Sequence, residues 1–306
     1  RRSGSGAWSS PLAIHGSYAP QAGARPQVKV DADASAIHVV WAQSSQDSSS
    51  VAIAHSWSTN GGSTWSYDTV TRSARSSASL GVGIHHLSMS FASGTVWVAY
   101  CQDRQMLVST PADGATTGII VAAKSGSSAW AYPPIQPASI IGASQELSIL
   151  CPTTAFPSTS PARLFGVSIA AASATTAQVA FAYYPTQGTR AIQAISASVL
   201  LSGGIVKWGN AAGHHAGFPG GGVLDSSWVA ANLSPRSTIL PVGFWPKPMF
   251  GATRIINIGS GRFAIAWRNP TDDRYYGAVR LYTEWMLAVL DTVSYSWSET
   301  WSTRSD

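Results

Sequence analysis

Arginine is the most numerous of the charged side chains in this sequence that could do chemistry. The 306 residues carry 19 basic side chains, and only four of them, Lys29, Lys124, Lys207 and Lys247, are lysines. The planar guanidinium of arginine binds carboxylate, sulfate or phosphate through two parallel hydrogen bonds. This bias points to acidic ligands, acidic glycans among them, as partners.

Aromatic residues form a second set of candidate binding groups. Tyr184, Trp245, Tyr276 and Trp285 lie beside proline, in turn-like surroundings or in aromatic clusters. Sugars present CH-rich faces that stack on aromatic rings, while neighbouring polar side chains hydrogen-bond their hydroxyls. We interpret these four residues as candidate sugar-binding residues, with packing between sheets as their alternative role.

Histidines and cysteines do not form a metal-binding pattern. His85-His86 and His214-His215 are adjacent pairs, and neighbouring residues of a strand point to opposite faces. Cys101 and Cys151 are too few for a disulfide framework or a zinc site, which leaves two buried thiols or one bridge. We therefore expect neither a metal nor a cofactor.

Composition excludes several classes of protein. Charged residues make up 11% of the chain and apolar residues 45%, which does not fit a disordered tail, a coiled coil or a helical bundle. The net charge of +5 is not gathered into a basic run, so nucleic-acid binding is not expected. No apolar stretch reaches the length of about 18 residues that a membrane-spanning helix needs.

A short β-rich unit recurs along the chain. It consists of two runs of alternating apolar and polar residues, rich in β-branched side chains, with Ser, Gly, Ala or Asp between them. This pattern predicts hairpins at 26–43, 86–102, 138–152, 164–185 and 254–270.

A tryptophan flanked by small or polar residues marks the end of many units. Each indole would fill the same space between neighbouring sheets. A hairpin, a third strand and a Trp-marked outer strand make a four-stranded antiparallel blade, and such blades arranged radially form a β-propeller. The Trp-marked segments are 6–11, 63–68, 128–133, 206–210 and 295–300.

The sequence thus predicts a single all-β domain over residues 1–306, a β-propeller whose ring is closed by strands from both chain ends. Residues 6–14 would supply the outer strand of a blade completed by residues 254–300. Residues 209–250 are either a degenerate blade or a long insertion. Because a structureless loop of that length is uncommon in a compact domain, six blades are favoured over five. A two-sheet sandwich is the rival architecture.

The segment STNGGSTW at Ser58–Trp65 resembles the Asp-box of sialidase-like and BNR-repeat β-propellers, with Asn60 in the aspartate position. The likeness extends over residues 24–43 and 51–66. In such a turn Asn60 accepts hydrogen bonds from backbone amides, Gly62 takes a positive φ and Trp65 packs under the turn. The box is a structural device, so it predicts the fold and not catalysis.

The resemblance also implies a catalytic set, if the chain is a sialidase-like enzyme. Three arginines would hold the substrate carboxylate, a glutamate would activate a nucleophilic tyrosine, and an aspartate would protonate the leaving oxygen. In chain order the matching residues are Arg25, Asp47, Glu146, Arg163, Arg254, Tyr282 and Glu299.

These observations favour a secreted or surface-displayed module that binds glycans or mediates adhesion without catalysis. A surface poor in charge and rich in Ser, Thr, Gln and Gly is typical of rigid extracellular β-proteins. The alternatives are an exo-glycosidase acting on an acidic sugar, a lyase with His86 or His214 as its base, and an architectural component of a surface or virion assembly. A homo-oligomer is compatible with each.

Overall fold

The computed structural model describes residues 14, 28–33, 36–44, 50–74, 84–103, 117–133, 163–184, 193–214, 222–223, 253–273 and 280–305. Within these ranges the protein is all-β, with sixteen strands and no helix. This part of the chain accordingly contains no helix long and apolar enough to cross a membrane.

The strands form four antiparallel sheets, and in each sheet neighbouring strands follow one another along the chain. The first sheet contains β1 (Val28–Ala32), β2 (Ile37–Ser44), β3 (Ser50–Ser58) and β4 (Ser66–Ala74). The second contains β5 (Ile84–Ala92), β6 (Thr95–Asp103) and β7 (Thr117–Ser125). The third contains β8 (Arg163–Ala171), β9 (Thr176–Tyr184), β10 (Gln193–Ser202), β11 (Ile205–Gly213) and β12 (Gly222–Val223). The fourth contains β13 (Thr253–Gly259), β14 (Arg262–Asp273), β15 (Arg280–Asp291) and β16 (Ser296–Ser305).

Four of the five predicted hairpins are confirmed, and each opens one sheet. They are the pairs β1–β2, β5–β6, β8–β9 and β13–β14. Two of them turn through Ser-Gly pairs with positive φ at both residues: 50° and 78° at Ser93-Gly94, 53° and 72° at Ser260-Gly261. That geometry matches the twist of the flanking strands. The hairpin predicted at 138–152 lies outside the described residues.

Hydrophobic layers join the four sheets in chain order. The second sheet reaches both neighbours because Val96–Tyr100 and Ile119–Ala123 are buried throughout, and successive side chains of a strand point to opposite faces. Trp97, Ile119 and Val121 therefore pack against the third sheet, whereas Val98 and Ile120 pack against the first. A third layer joins the third and fourth sheets through Ala180, Ile265 and Trp267.

The Trp-marked segments provide one indole for each of these layers. Trp130 packs against the layer between the first and second sheets, Trp208 against the next, and Trp297 against the last. Trp208 and Trp297 lie in fourth strands, and Trp130 lies where Ala131 bridges to Ala123 beside β7. The predicted role of the repeated tryptophan is thus confirmed for these three residues.

Side chains of one first strand accept hydrogen bonds from the first strand of the next sheet. Asp31 Oδ2 accepts from the backbone N–H of Phe91 at 2.8 Å, and Ser88 Oγ from Ile169 at 3.1 Å. Ser168 Oγ repeats the contact with Ile255 at 3.3 Å. Residue numbers rise together across these contacts, since Ser90 bonds Ala171 as Ser88 bonds Ile169. The first strands β5 and β8 therefore run parallel, and β13 runs parallel to β8, since Asn257 donates to the carbonyl of Ala171 as Ile255 donates to Ser168.

Consecutive described sheets pack directly on one another. The third sheet contacts both the second and the fourth. Residues 209–213 and 222–223 of the predicted insertion belong to β11 and β12 of the third sheet. Four sheets, each packed on the next, also exclude the two-sheet sandwich.

The number of blades and the closure of the ring remain predictions. The described fourth sheet takes all four of its strands from 253–305, with β16 beside β15. Residues 6–13 lie outside the described residues. Ile14 offers its carbonyl oxygen to Ser56 Oγ at 3.3 Å, on the first sheet.

The contact of Ser88 yields a prediction about stability. Replacing Ser88 by Ala leaves the buried N–H of Ile169 without its acceptor, which should lower the free energy of unfolding by about 1–3 kcal/mol. Chemical denaturation measures the loss. Ser202→Ala, at an exposed position of β10, is the control and should change little. Equal stability of the two variants would contradict the role assigned to Ser88.

Candidate functional site

The structure places only part of the predicted catalytic set. Arg25, Asp47 and Glu146 lie outside the described residues, as do the candidate aromatic residues Trp245 and Tyr276. Arg163, Tyr184, Tyr282 and Glu299 are placed by strand position. Arg254 is exposed on β13, and its guanidinium donates a hydrogen bond to the carbonyl of Thr253 at 2.9 Å.

Strand positions bring some of these residues to one end of the molecule. Arg163 opens β8 and pairs with Tyr184 at the end of β9. Arg254 and Tyr282 lie near the starts of β13 and β15, and the register places Arg254 level with Leu287, five residues beyond Tyr282. These residues therefore lie toward the end of the molecule where β8 and β13 begin.

The same register separates other members of the set. Ser168 is level with Ile255, so Arg163 begins its strand four residues beyond the level of Arg254, a distance of about 13 Å along the strand direction. Glu299 lies on β16, three strands from β13, which corresponds to about 14 Å. Their strands alone therefore do not converge on one carboxylate, and the catalytic set stays a prediction.

Trp285 is the one candidate aromatic residue whose side chain is described. It lies on β15 with 40% of its surface exposed, and Leu287 beside it is 37% exposed. Its register partners are Arg268 on β14 and Thr303 on β16. Because Met286 and Ala288 pack toward the third sheet, the alternate residue Trp285 faces away from it.

The turn at Ser58–Trp65 is held by hydrogen bonds of Asn60. Its Oδ1 accepts from the backbone N–H groups of Ser63 at 3.0 Å and Thr64 at 2.9 Å, and from Ser58 Oγ at 2.9 Å. Gly62 has a φ of 87° and donates its N–H to Ser58 Oγ at 2.8 Å. The indole N–H of Trp65 closes the turn by donating to the carbonyl of Gly62 at 3.2 Å. The exposed turn thus satisfies its backbone groups with its own side chains.

A buried polar cluster, which sequence reasoning missed, lies between the first and second sheets. His55 Nδ1 is 2.8 Å from Asp68 Oδ1, and His55 Nε2 is 3.0 Å from His38 Nδ1. His55 lies directly opposite Asp68 in the register and diagonally across from His38, which pairs with Trp57. Three neighbouring strands thereby build a His38–His55–Asp68 chain on the face toward the second sheet.

The second sheet completes this cluster. The ammonium group of Lys124 and the indole N–H of Trp130 both donate to Asp68, the latter at 3.2 Å. Lys124 Nζ also lies 4.8 Å from the ring centre of Trp57. Phe91 packs on His38 with ring centres 4.2 Å apart. Five aromatic and charged side chains thus surround the two histidines. His38 is 7% exposed and His55 is 1% exposed.

The surroundings shift the protonation of two members of the cluster. Burial, followed by the charge of His55, lowers the pKa of His38 to about 4, and Lys124 adds to the effect. Burial by itself raises the pKa of Asp68, but the hydrogen bonds from His55, Lys124 and Trp130 outweigh it and hold that pKa at about 2. Near neutral pH, Asp68 is therefore a carboxylate and His38 is neutral.

The sequence does contain a signal for this cluster. His38 is two residues from Val40 on β2, and His55 is two residues from Ile53 on β3. Residues two apart on a strand share a face, so both histidines occupy positions of the core-facing apolar pattern. A titratable residue at such a position needs a hydrogen-bond partner. Which residues become that partner depends on the packing of the second sheet, which the local pattern does not specify.

Among the residues that the structure describes, no three His, Cys, Asp or Glu side chains are grouped to hold a metal ion. The His38–His55–Asp68 chain has the residue types of a metal site, but its ring nitrogens and carboxylate oxygens face one another and the ammonium of Lys124. Its polar atoms therefore satisfy one another, and Lys124 forms an ion pair with Asp68.

The sequence matches no protein-family model and no curated protein. The fold is similar to the α-L-arabinanase of Penicillium chrysogenum complexed with arabinobiose, with a TM-score of 0.41, 10% identity and coverage of 89% of this chain and 64% of that one. For an α-L-arabinofuranosidase of Fusarium graminearum in complex with an iminosugar inhibitor, the TM-score is 0.44 and the identity 9%, with coverage of 90% of this chain and 64% of that one. For Trypanosoma rangeli sialidase in complex with sialic acid, the TM-score is 0.40 and the identity 12%, with coverage of 98% of this chain and 39% of that one. Sialidase structures are thus among those that the chain resembles, and the chain spans less than two thirds of each of these three proteins.

The Asn60 turn yields the second prediction. Asn60→Ala removes the acceptor of two backbone N–H groups, and the free energy of unfolding should fall by about 1 kcal/mol, as for a lost helix cap. Asn60→Asp puts a carboxylate oxygen in the place of the amide oxygen that accepts these hydrogen bonds, and it is the matched control. Denaturant titration of the three proteins measures both effects, and equal losses in the two variants would contradict the assigned hydrogen bonds.

Proposed function

We propose that the protein is an extracellular or surface-displayed glycan-binding module on a sialidase-like β-propeller, with no catalytic turnover. The likeness of residues 24–43 and 51–66 to an Asp-box repeat supports the propeller. The hydrogen bonds of Asn60 and the positive φ of Gly62 support the Asp-box assignment of this turn.

The exposed ring of Trp285 carries the sugar-binding proposal. A large aromatic side chain at the surface offers a flat apolar face, on which the CH groups of a sugar ring can stack. Arg268 and Thr303 occupy the flanking register positions, and residues of these types hydrogen-bond sugar hydroxyls and acidic groups. An acidic glycan fits this combination best.

Turnover is not part of the proposal because the described register spreads the catalytic set. Glu299 lies three strands from Arg254, and Arg163 lies about 13 Å beyond it along the strand direction. A glycosidase needs its acid, base and substrate-holding groups within hydrogen-bond reach of one bond. An exo-glycosidase and an architectural role are the other outcomes of the experiment below.

Binding through Trp285 predicts a selective loss in one variant. On a glycan array the intact chain should retain acidic glycans, and Trp285→Ala should weaken the best of them about 3- to 10-fold, the equivalent of one aromatic stacking contact. Trp285→Phe keeps a ring and should keep most of the affinity. Val293→Ala, on an 86% exposed residue, is the surface control.

Three results would contradict this function. Hydrolysis of a fluorogenic sialoside by the intact chain would make it an enzyme. Absence of both binding and hydrolysis would favour an architectural role. Unchanged glycan affinity in Trp285→Ala would contradict the role of Trp285 and place the glycan-binding site elsewhere on the molecule.

We also propose that the ring closes between the first and fourth sheets. Val30 on β1 and Ile256 on β13 are 64% and 60% exposed, on the faces that point away from the second and third sheets, respectively. Trp285 shares the face of Ile256, but the register places Ile256 level with Val289, so Trp285 lies four residues, or about 13 Å, toward the start of β15 and outside this contact. Burial, and then the positive charge of Arg254, lower the pKa of Lys29. The first strands β1 and β13 are therefore near enough for their charges to interact.

Ring closure predicts proximity of Val30 and Ile256. In a variant with Val30→Cys and Ile256→Cys, a short bifunctional maleimide should cross-link the two cysteines within one chain. After proteolysis between the two positions, the cross-linked fragments stay joined and migrate together in denaturing gel electrophoresis. Each single cysteine variant corrects for Cys101 and Cys151. A double variant that reacts no more than the single ones would contradict closure at this place.

A further inference from the structure

The contact between His38 and His55 limits how many protons the pair can hold. Their facing nitrogens, Nδ1 of His38 and Nε2 of His55, are 3.0 Å apart, and a hydrogen bond of that length contains one hydrogen. Two fully protonated imidazoles would each present an N–H to the other. The pair can therefore take up one extra proton in this arrangement, and a second proton breaks the contact.

The surroundings cannot absorb that second charge. Asp68 already accepts hydrogen bonds from His55, Lys124 and Trp130. Lys124, which also contacts Asp68, is positive and is itself 11% exposed. With both histidines buried, two imidazolium charges beside an ammonium would be opposed by two carboxylates, Asp33 and Asp68, which leaves one positive charge unbalanced in a medium of low dielectric.

We propose that His38, His55, Asp68 and Lys124 form an acid-sensitive latch between the first and second sheets. In the closed state Asp68 of the first sheet holds Lys124 and Trp130 of the second. Double protonation of the histidine pair separates their rings, draws water to the charges and loosens the contact of Asp68 with the second sheet.

The groups around His38 set the pH range of opening. His55 and Lys124 disfavour its protonation, whereas Asp33 and Asp68 favour it, and burial is the largest effect. The pKa is about 4 in the closed state against 6.5 in an open one. Because the open state binds the proton more tightly, the latch is fully stable above pH 6.5 and weakens as the pH falls toward 4. Each pH unit in this range favours opening by up to about tenfold.

Hydrogen exchange measured by mass spectrometry from pH 7.5 to 4.5, corrected for intrinsic rates, tests the latch in the intact chain. The proposal predicts that acid first lowers the protection factors of residues 36–44, 50–74, 87–103 and 117–133. The third and fourth sheets, at 163–184, 193–214, 253–273 and 280–305, should keep their protection over the same range. Loss of protection in all four sheets at one pH would overturn the proposal.

Two variants make the test specific. His38→Gln retains an N–H donor for His55 but does not titrate in this range, so the acid response of the first two sheets should shrink at least threefold. Asp68→Asn weakens the hold on Lys124 at every pH, so protection should already be low at pH 7.5. His214→Gln removes a histidine packed between Trp267 and Trp297 and should leave the response intact.

Each variant can also refute the latch. An unchanged acid response in His38→Gln would exclude His38 as the sensor. Full protection of Asp68→Asn at pH 7.5 would exclude Asp68 as the link between the sheets. If His38→Gln does not fold, the order in which the sheets of the unmodified protein lose protection still decides the question.

Discussion

The free edge of each first strand is the constraint on which this arrangement of sheets depends. A strand at the edge of a sheet presents backbone N–H groups that need an acceptor once they are buried. Asp31, Ser88 and Ser168 provide that acceptor from the preceding sheet, in contacts with Phe91, Ile169 and Ile255. Because each contact joins one sheet to the next, the same interaction that satisfies an edge also sets the order of the sheets and the level of one first strand relative to the next.

The boundaries between consecutive sheets differ in the kinds of contact that they contain. The layers that join the second, third and fourth sheets are built from alanine, valine, isoleucine and the repeated indole. The boundary between the first and second sheets has a similar layer and, in addition, a charged cluster around Asp68. Removing one partner of such a buried cluster leaves a charge unpaired, which costs more than an apolar contact does. This boundary is therefore the one whose strength depends on protonation.

Much of the fold could be predicted because it rests on short-range patterns. Alternation of apolar residues predicted four hairpins that the structure contains, and the spacing of Trp130, Trp208 and Trp297 predicted their common place between sheets. The site was less predictable. Order in the chain predicts Glu299 as a member of the catalytic set, but order does not reveal that it lies on an outermost strand, three strands from Arg254. Order also does not predict the contact of His38 with His55, because these residues are 17 positions apart and meet through the register of β2 and β3.

The sequence by itself determined the strands, their turns and which face of each strand is apolar, since these follow from residues within a few positions of one another. Asn60, Gly62 and Trp65 form their turn for the same reason. Only the tertiary structure decided which sheets touch and which polar groups they bury together. Lys124 reaches Asp68 from a strand 56 residues away, and that encounter is set by the packing of whole sheets, to which every side chain of the layer contributes.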